Sequence, residues 1–177
     1  TGYLQDFREP SVVELVLGLT KTQPTGFGGQ LACGARAFDT RPAVDKNGTL
    51  VFHHGGITVH HPFADALDEV VAWCGANPEE LVVMTVWSCE GDGCDGLVAS
   101  TLAAAGISPV TDCGFFANLT LGDARQRAAG LTGGGQLLVV TGATGGEESC
   151  SYSNYEPDVA CSGFGTATAS APADLPR

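Results

Sequence analysis

The chain has 177 residues, of which 44% are hydrophobic and 16% charged, so we expect one globular domain over 1–177 rather than a disordered chain. The formal net charge is −12, from 8 basic and 20 acidic residues, which argues against binding to nucleic acid and to anionic membrane surfaces. The sequence has no run of about 18 apolar residues, so it predicts no transmembrane segment.

The first half of the chain is predicted to contain two helices and three strands. Apolar residues at helical spacing behind a capping box predict a helix over 10–19, and a loop rich in glycine, proline and threonine follows over 22–29. Two strands then flank the Asp-Lys-Asn-Gly turn at 45–48. A helix is predicted over 62–77, because a proline begins it and Asn-Pro at 77–78 ends it. The apolar run 81–87 is typical of a strand in a parallel sheet.

The second half repeats this alternation. We predict helices over 96–105 and 121–129, strands over 110–113 and 136–141, and a loop-rich segment over 142–177. Strands that alternate with helices are typical of an α/β fold with a parallel sheet, and ionisable residues at strand ends fit a TIM-like (β/α) barrel. Because a full barrel needs about 250 residues, we expect an incomplete or truncated barrel here.

Seven cysteines indicate an oxidising compartment. Cys89 and Cys94 flank a short flexible loop that a disulfide could close, and Cys150 and Cys161 flank a second loop of this kind. A zinc site is the alternative for the cysteines, but no two of them are separated by only two residues, as zinc ligands often are.

The other features that bear on localisation point the same way. Asn47 and Asn118 begin glycosylation sequons, so together with the cysteines they predict a secreted or extracellular glycoprotein. Cys33, Cys74 and Cys113 lie in apolar settings, either as buried thiols or with two of them paired. The chain begins in what reads as mid-domain sequence, so we expect a processed or truncated product.

The most informative residues lie between positions 34 and 55. Asp39 and Arg41 end the first predicted strand, where residues two apart share a face, and His53 and His54 end the second. Arginine binds phosphate oxygens through two parallel hydrogen bonds, and histidine transfers protons near neutral pH. A carboxylate, a guanidinium and an imidazole at neighbouring strand ends therefore suit the binding and cleavage of a phosphate ester.

Over residues 22–87 the chain resembles the X domain of phosphatidylinositol-specific phospholipase C-like phosphodiesterases. The order of the segments carries the resemblance. They are TQ at 22–23, QL at 30–31, GARAFDTRP at 34–42, LVFHHG at 50–55, FADAL at 63–67 and NPEELVVM at 77–84.

The resemblance implies a TIM-like barrel that cleaves phosphodiesters with two histidines as base and acid. His54, in the His-Gly motif, would be the general acid, and Asp39 and Arg41 would form the Asp-x-Arg motif of the site. Calcium-dependent members have an acidic residue where Arg41 stands, so the resemblance implies a metal-free type, with Ca²⁺ as the alternative. The implied substrate is phosphatidylinositol, a glycan-linked inositol or another phosphodiester, with transient contact at a membrane surface.

The chain departs from the family pattern in two places. The family's first histidine lies upstream of the Thr-Gln segment, but no histidine precedes Thr22, so we expect the isolated chain to be inactive. A lysine of the metal-free type is replaced by Trp87 and Ser88, so we predict that Trp87 stacks on a sugar ring. His53 faces away from its neighbour His54 and is predicted either to bind substrate or to be packed or solvated.

Several alternatives stay open at this point. His60 and His61 precede a helix, where helix-start or solvent-exposed roles are favoured, although both could join His53 and Asp39 in a metal site. A glycerophosphodiester phosphodiesterase would use a metal held by acidic residues, and Arg41 counts against it. A non-catalytic protein that binds lipid headgroups or sugars is the third alternative.

Overall fold

The computed structural model describes residues 25–54, 56–111, 119–128, 131 and 134–141. These residues form four helices and six strands, arranged in two three-stranded sheets. In chain order the elements are α1 Phe27–Ala32, β1 Ala37–Thr40, β2 Pro42–Val44, β3 Leu50–His54, β4 Ile57–Val59, α2 Phe63–Ala76, β5 Leu81–Val86, α3 Cys94–Ala104, α4 Leu121–Ala128 and β6 Gln136–Thr141. The helix predicted over 10–19 and the segment 142–177, with Cys150 and Cys161, lie outside the described residues.

The larger helices pack on a parallel sheet of order β1-β5-β6. The central strand, β5, is paired in parallel with β1 and with β6, so the α/β class with a parallel sheet is confirmed. Its side chains alternate, with Val82, Met84 and Val86 fully buried. Within the described ranges, three strands form the parallel sheet, whereas a closed barrel has eight, which agrees with the incomplete barrel that we expected.

The strand predicted to carry both Asp39 and Arg41 is divided in two. β1 ends at Thr40 in the parallel sheet, and β2 begins at Pro42 in an antiparallel sheet of order β2-β3-β4. Proline has no N–H to give to a sheet, so it fits the first position of a strand better than the middle. Arg41 therefore lies at the junction between the two sheets.

Helix α2 supplies much of the core. It begins after Pro62, as predicted, and buries Phe63, Leu67, Val70 and Cys74 against the parallel sheet and α1. An aromatic cluster continues this core toward β1 and β3. Its ring centroids are 5.0 Å apart for Phe27 and Phe38, 5.8 Å for Phe27 and Phe52, and 5.5 Å for Phe52 and Phe63.

The remaining predictions differ from the structure mostly at element ends. β6 has the predicted bounds, and α3 begins two residues earlier than we expected, at Cys94. Val110 forms an isolated bridge to Val140 where a short strand was predicted. The loop predicted over 22–29 is wrong from Phe27 onward, because α1 begins there. No helix in the described ranges has the length and apolarity needed to cross a membrane.

Candidate active site

Three of the predicted site residues contact one another where β1 and β5 end. Arg41 donates from Nη2 to Oδ2 of Asp39 over 3.1 Å. The indole N–H of Trp87 donates to the other oxygen of the same carboxylate. The guanidinium carbon of Arg41 lies 5.9 Å from the centre of the Trp87 ring. We call Asp39, Arg41 and Trp87 the strand-end cluster.

Hydrogen bonds between the two strands hold the backbone under this cluster. The Thr40 hydroxyl donates to the carbonyl oxygen of Thr85 over 2.6 Å. The Thr85 hydroxyl donates to the carbonyl oxygen of Phe38 over 3.1 Å. The N–H of Trp87 donates to the carbonyl oxygen of Thr40 over 3.1 Å, one residue beyond the end of β5. Because carboxyl ends of parallel strands lie at one edge of a sheet, the register of β1 and β5 brings the cluster together.

The cluster is half-exposed and suited to an anionic ligand. The side chain of Arg41 is 29% exposed and that of Asp39 is 49% exposed. A guanidinium keeps its charge at all ordinary pH values and has five N–H donors, of which the ion pair with Asp39 engages one nitrogen. The others can reach phosphate oxygens, whereas no member of the cluster is an ordinary proton carrier near neutral pH.

His53 is buried, with its side chain only 3% exposed. Its Nε2 atom is 2.6 Å from the carbonyl oxygen of Ser88 and must donate there, since a carbonyl can only accept. Its Nδ1 atom is 3.3 Å from Oε1 of Glu90, and its backbone N–H donates to the carbonyl oxygen of Arg41 over 2.9 Å. The substrate contact predicted for His53 stays a prediction.

His54 follows on the opposite face of β3 and is exposed. Within the described ranges, no hydrogen bond or ion pair joins its side chain to the strand-end cluster. The structure thus brings Asp39, Arg41 and Trp87 into contact, and the backbone N–H of His53 donates to the carbonyl oxygen of Arg41. The acid role of His54 stays a prediction.

Sequence reasoning missed the roles of Ser88 and Glu90, whose oxygens lie beside the ring nitrogens of His53. Glu90 also joins the edge of β2, because its N–H donates to the carbonyl oxygen of Pro42 over 3.0 Å and its carbonyl accepts from Val44 over 2.8 Å. The predicted disulfide between Cys89 and Cys94 is confirmed and closes this loop. The bond from His53 to Ser88 spans 35 positions, so only a long-range pairing signal could have found it.

The described residues do not fit a calcium ion at the strand-end cluster. Ca²⁺ takes about six to eight oxygen ligands, but both oxygens of Asp39 accept hydrogen bonds from Arg41 and Trp87. No group of three His, Cys, Asp or Glu side chains in the described ranges could hold a metal. Instead, Nδ1 of His60 lies 3.8 Å from Oδ2 of Asp45. The ring of His61 stacks on that of Phe52, with 6.3 Å between the ring centroids.

Comparison with known proteins finds relatives among phosphodiesterases, although no family model matches the chain. The chain is 32% identical over 66 residues to the 1-phosphatidylinositol phosphodiesterases of Staphylococcus aureus strains Newman and NCTC 8325 / PS 47. This match covers 37% of the chain and 21% and 20% of those proteins, so it spans about a fifth of their length. The resemblance to phosphatidylinositol-specific phospholipases C is thereby confirmed over that stretch.

Solved structures that align with part of the chain include two phospholipases C. A double mutant of the phosphatidylinositol-specific phospholipase C from S. aureus has a TM-score of 0.48 and 23% identity, covering 72% of this chain and 44% of that one. The corresponding enzyme from Listeria monocytogenes has a TM-score of 0.48 and 20% identity, covering 72% of this chain and 45% of that one.

Proposed function

We propose that this chain forms part of a phosphodiesterase that cleaves phosphatidylinositol or a related phosphodiester. The observation that carries the proposal is the half-exposed guanidinium of Arg41, which Asp39 and Trp87 hold at the junction of two sheets. The 66-residue similarity to two 1-phosphatidylinositol phosphodiesterases supports it.

In the proposed reaction, the inositol 2-hydroxyl oxygen attacks phosphorus and the bond from phosphorus to the lipid alkoxide breaks, leaving a cyclic phosphate. Arg41 binds a non-bridging oxygen of the phosphate and stabilises the negative charge that develops on it in the transition state. Asp39 and Trp87 keep the guanidinium in one orientation. This chemistry needs two proton transfers. We assign to His54 the one that protonates the leaving alkoxide. The proton of the 2-hydroxyl passes to a base, which the resemblance implies is a histidine upstream of the Thr-Gln segment and which we assign to no residue of this chain.

We further propose that the protein works outside the cell and needs no metal. The disulfide between Cys89 and Cys94 supports an oxidising location. The placement of Arg41 beside Asp39 supports charge neutralisation by a guanidinium rather than by Ca²⁺. Contact with a membrane surface would then be transient, at the lipid that is cleaved.

The test is cleavage of phosphatidylinositol vesicles by the full-length protein, with and without EDTA, followed as release of soluble inositol phosphate. We expect cleavage in both cases. Activity abolished by EDTA would favour a metal-dependent glycerophosphodiester phosphodiesterase. Binding of the headgroup without cleavage of any phosphodiester would overturn the proposal and leave a non-catalytic binding protein.

The first variant to test is His54→Ala. We expect kcat to fall by about 10²-fold or more, the usual scale for the loss of a general acid. His60→Ala is the matched control, because His60 faces Asp45 rather than the cluster, and its kcat should not change. Equal losses in both variants would remove His54 from the mechanism.

A further inference from the structure

His53 contacts one residue of the strand-end cluster, Arg41, and two residues of the loop that follows Trp87. Burial of a polar ring is costly unless its nitrogens are bonded. Nε2 of His53 donates to a carbonyl oxygen at 2.6 Å, and Nδ1 lies 3.3 Å from a carboxylate oxygen that can accept when the ring is protonated. Those acceptors belong to Ser88 and Glu90, in the loop that follows Trp87. The backbone of His53 meanwhile bonds to Arg41.

The bond from Nε2 of His53 to the carbonyl oxygen of Ser88 is made to a residue with an uncommon backbone conformation. Ser88 is the one residue other than glycine with positive φ among the residues that the structure describes, at 51°. Serine adopts this backbone conformation only where its surroundings hold it. The donor from His53 fixes the carbonyl of Ser88, and so holds the turn that immediately follows Trp87.

The other side of the loop is also held by backbone pairing and by a disulfide. Glu90 bridges to Ala43 of β2, and the disulfide closes the loop from Cys89 to Cys94. Among the described residues, His53 ties the start of the loop, next to Trp87, to β3 through its bond to Ser88. A change at Ser88 would be passed to Trp87, then through the indole N–H to Asp39 and Arg41.

We propose that His53 is a positioning residue, whose Nε2–H bond to Ser88 holds Trp87 and thereby orients Arg41 for the phosphate. This inference rests on the proposed function for its kinetic consequence, but the contact between His53 and Trp87's loop can be tested without it. It assigns His53 a role by hydrogen bonding and not by proton transfer, which separates it from its neighbour His54.

Three substitutions at His53 separate these roles in the full-length protein. His53→Gln places an amide N–H donor near the position of Nε2, His53→Asn is too short to reach Ser88, and His53→Leu keeps volume without a donor. We expect Leu and Asn to lower kcat by about tenfold, below the 10²-fold or so that a 1 Å misplacement costs, because the backbone bonds near Arg41 remain. Gln should restore most of kcat, with KM nearly constant in all three variants.

The same substitutions at His54 are the control, because glutamine cannot transfer a proton and should restore nothing there. At His53, equal losses in Gln, Asn and Leu would mean proton transfer and would overturn the inference. Wild-type kcat in both Leu and Asn would overturn it too. If Leu fails to fold, the comparison of Gln with Asn decides.

Trp87 provides a readout that does not depend on activity. The chain has two tryptophans, so Trp73→Phe leaves Trp87 as the only indole. In that background, His53→Leu and His53→Asn should shift Trp87 emission to the red at temperatures where the fold is intact, and His53→Gln should not. An emission maximum that is the same in all variants would contradict the inference, even if no phosphodiester is cleaved and the proposed function fails.

Discussion

Two arginines at opposite ends of β1 make the same kinds of contact and still differ in what they can bind. Arg36 precedes the strand, pairs with Glu80 at 3.0 Å and lies 4.4 Å from the centre of the Trp73 ring. Its Nη1 also donates to the carbonyl oxygens of Leu31 and Ala35. The guanidinium of Arg36 therefore donates to three groups of the fold. The described side-chain contacts of Arg41 are with one carboxylate and one ring, which leaves donors for a ligand.

This difference predicts the outcome of Arg41→Lys. Lysine keeps the charge but cannot form two parallel bonds to a phosphate, so we expect kcat/KM to fall by about 10²-fold or more, as when an oriented donor is removed from a developing charge. Arg36→Lys is the matched control and should leave kcat/KM unchanged. Steady-state cleavage of phosphatidylinositol measures both, and similar losses would show that arginine acts only through stability.

A second residue-level prediction concerns Asp45, in the turn between β2 and β3. The backbone N–H of Thr49 is the largest cause that lowers the pKa of Asp45, with further contributions from the N–H of Asn47 and from His60. A carboxylate whose pKa is lower in the folded state stabilises the fold above its ordinary pKa of about 3.8. That contribution is lost as pH falls through the folded value.

Asp45→Asn keeps an oxygen that can accept these hydrogen bonds but removes the charge. We therefore expect the urea midpoint of the wild type to exceed that of the variant at pH 7, and the two to converge as pH falls below about 4. Urea unfolding at a series of pH values measures this. A difference that stays constant down to about pH 2 would mean that the charge of Asp45 does not stabilise the turn.

At the scale of elements, β6 begins unusually close to the end of α2. Gly134 and Gly135 both have positive φ, at 89° and 97°. A Cβ atom on Gly135 would lie 2.5 Å from the carbonyl carbon and oxygen of Cys74, whereas one on Gly134 would meet nothing within 4 Å. The absence of a side chain at Gly135 therefore lets the strand pass beneath the helix.

Alanine at these two glycines separates backbone strain from collision. Gly134→Ala should cost about 1–2 kcal/mol of unfolding free energy, for the positive φ of an L-residue. Gly135→Ala should cost about 1–3 kcal/mol more, because the Cys74 backbone must move to accept the methyl group. Urea unfolding at neutral pH compares the unfolding free energies of the two variants. Equal losses would mean that the end of α2 moves aside for the methyl group without a measurable cost.

Local signals explain which elements the sequence could predict. The helix after Pro62 has buried residues at helical spacing, and strand β6 is a continuous apolar run that follows a glycine turn, so both were predicted correctly. Helix α1 was missed because its two glycines disfavour a helix, and Glu69 of α2 binds the N–H of Gly28 over 3.0 Å, 41 positions away. The junction at Arg41 was missed because the antiparallel partner of β2 is known only from the fold.

At the scale of the whole molecule, the site depends on how the two sheets meet. The residue types that could bind a phosphate were identified from the sequence, and so was the disulfide. The sequence could not predict that Arg41 lies between the sheets, or that the loop after Trp87 crosses back to His53, because both follow from long-range pairing. Strand alternation does place His53 and His54 on opposite faces, but it does not decide which face is buried.

The last prediction concerns net charge, which belongs to the molecule as a whole. A charge of −12 opposes approach to an anionic membrane, so an enzyme with the function that we propose would reach its lipid against repulsion. On phosphatidylinositol diluted in phosphatidylcholine vesicles, we expect cleavage to slow as phosphatidylglycerol replaces phosphatidylcholine. Salt should restore the rate, since the screening length shortens from about 30 Å at 0.01 M to about 8 Å at 0.15 M.

A short-chain, monomeric phosphatidylinositol is the control, because a dissolved substrate presents no charged surface. Its cleavage should not respond to phosphatidylglycerol and should respond only weakly to salt. If the rate on vesicles instead rises with phosphatidylglycerol, a local cationic surface around Arg41 outweighs the net charge of the molecule. The acidic balance of the sequence would then say nothing about which membranes the protein can act on.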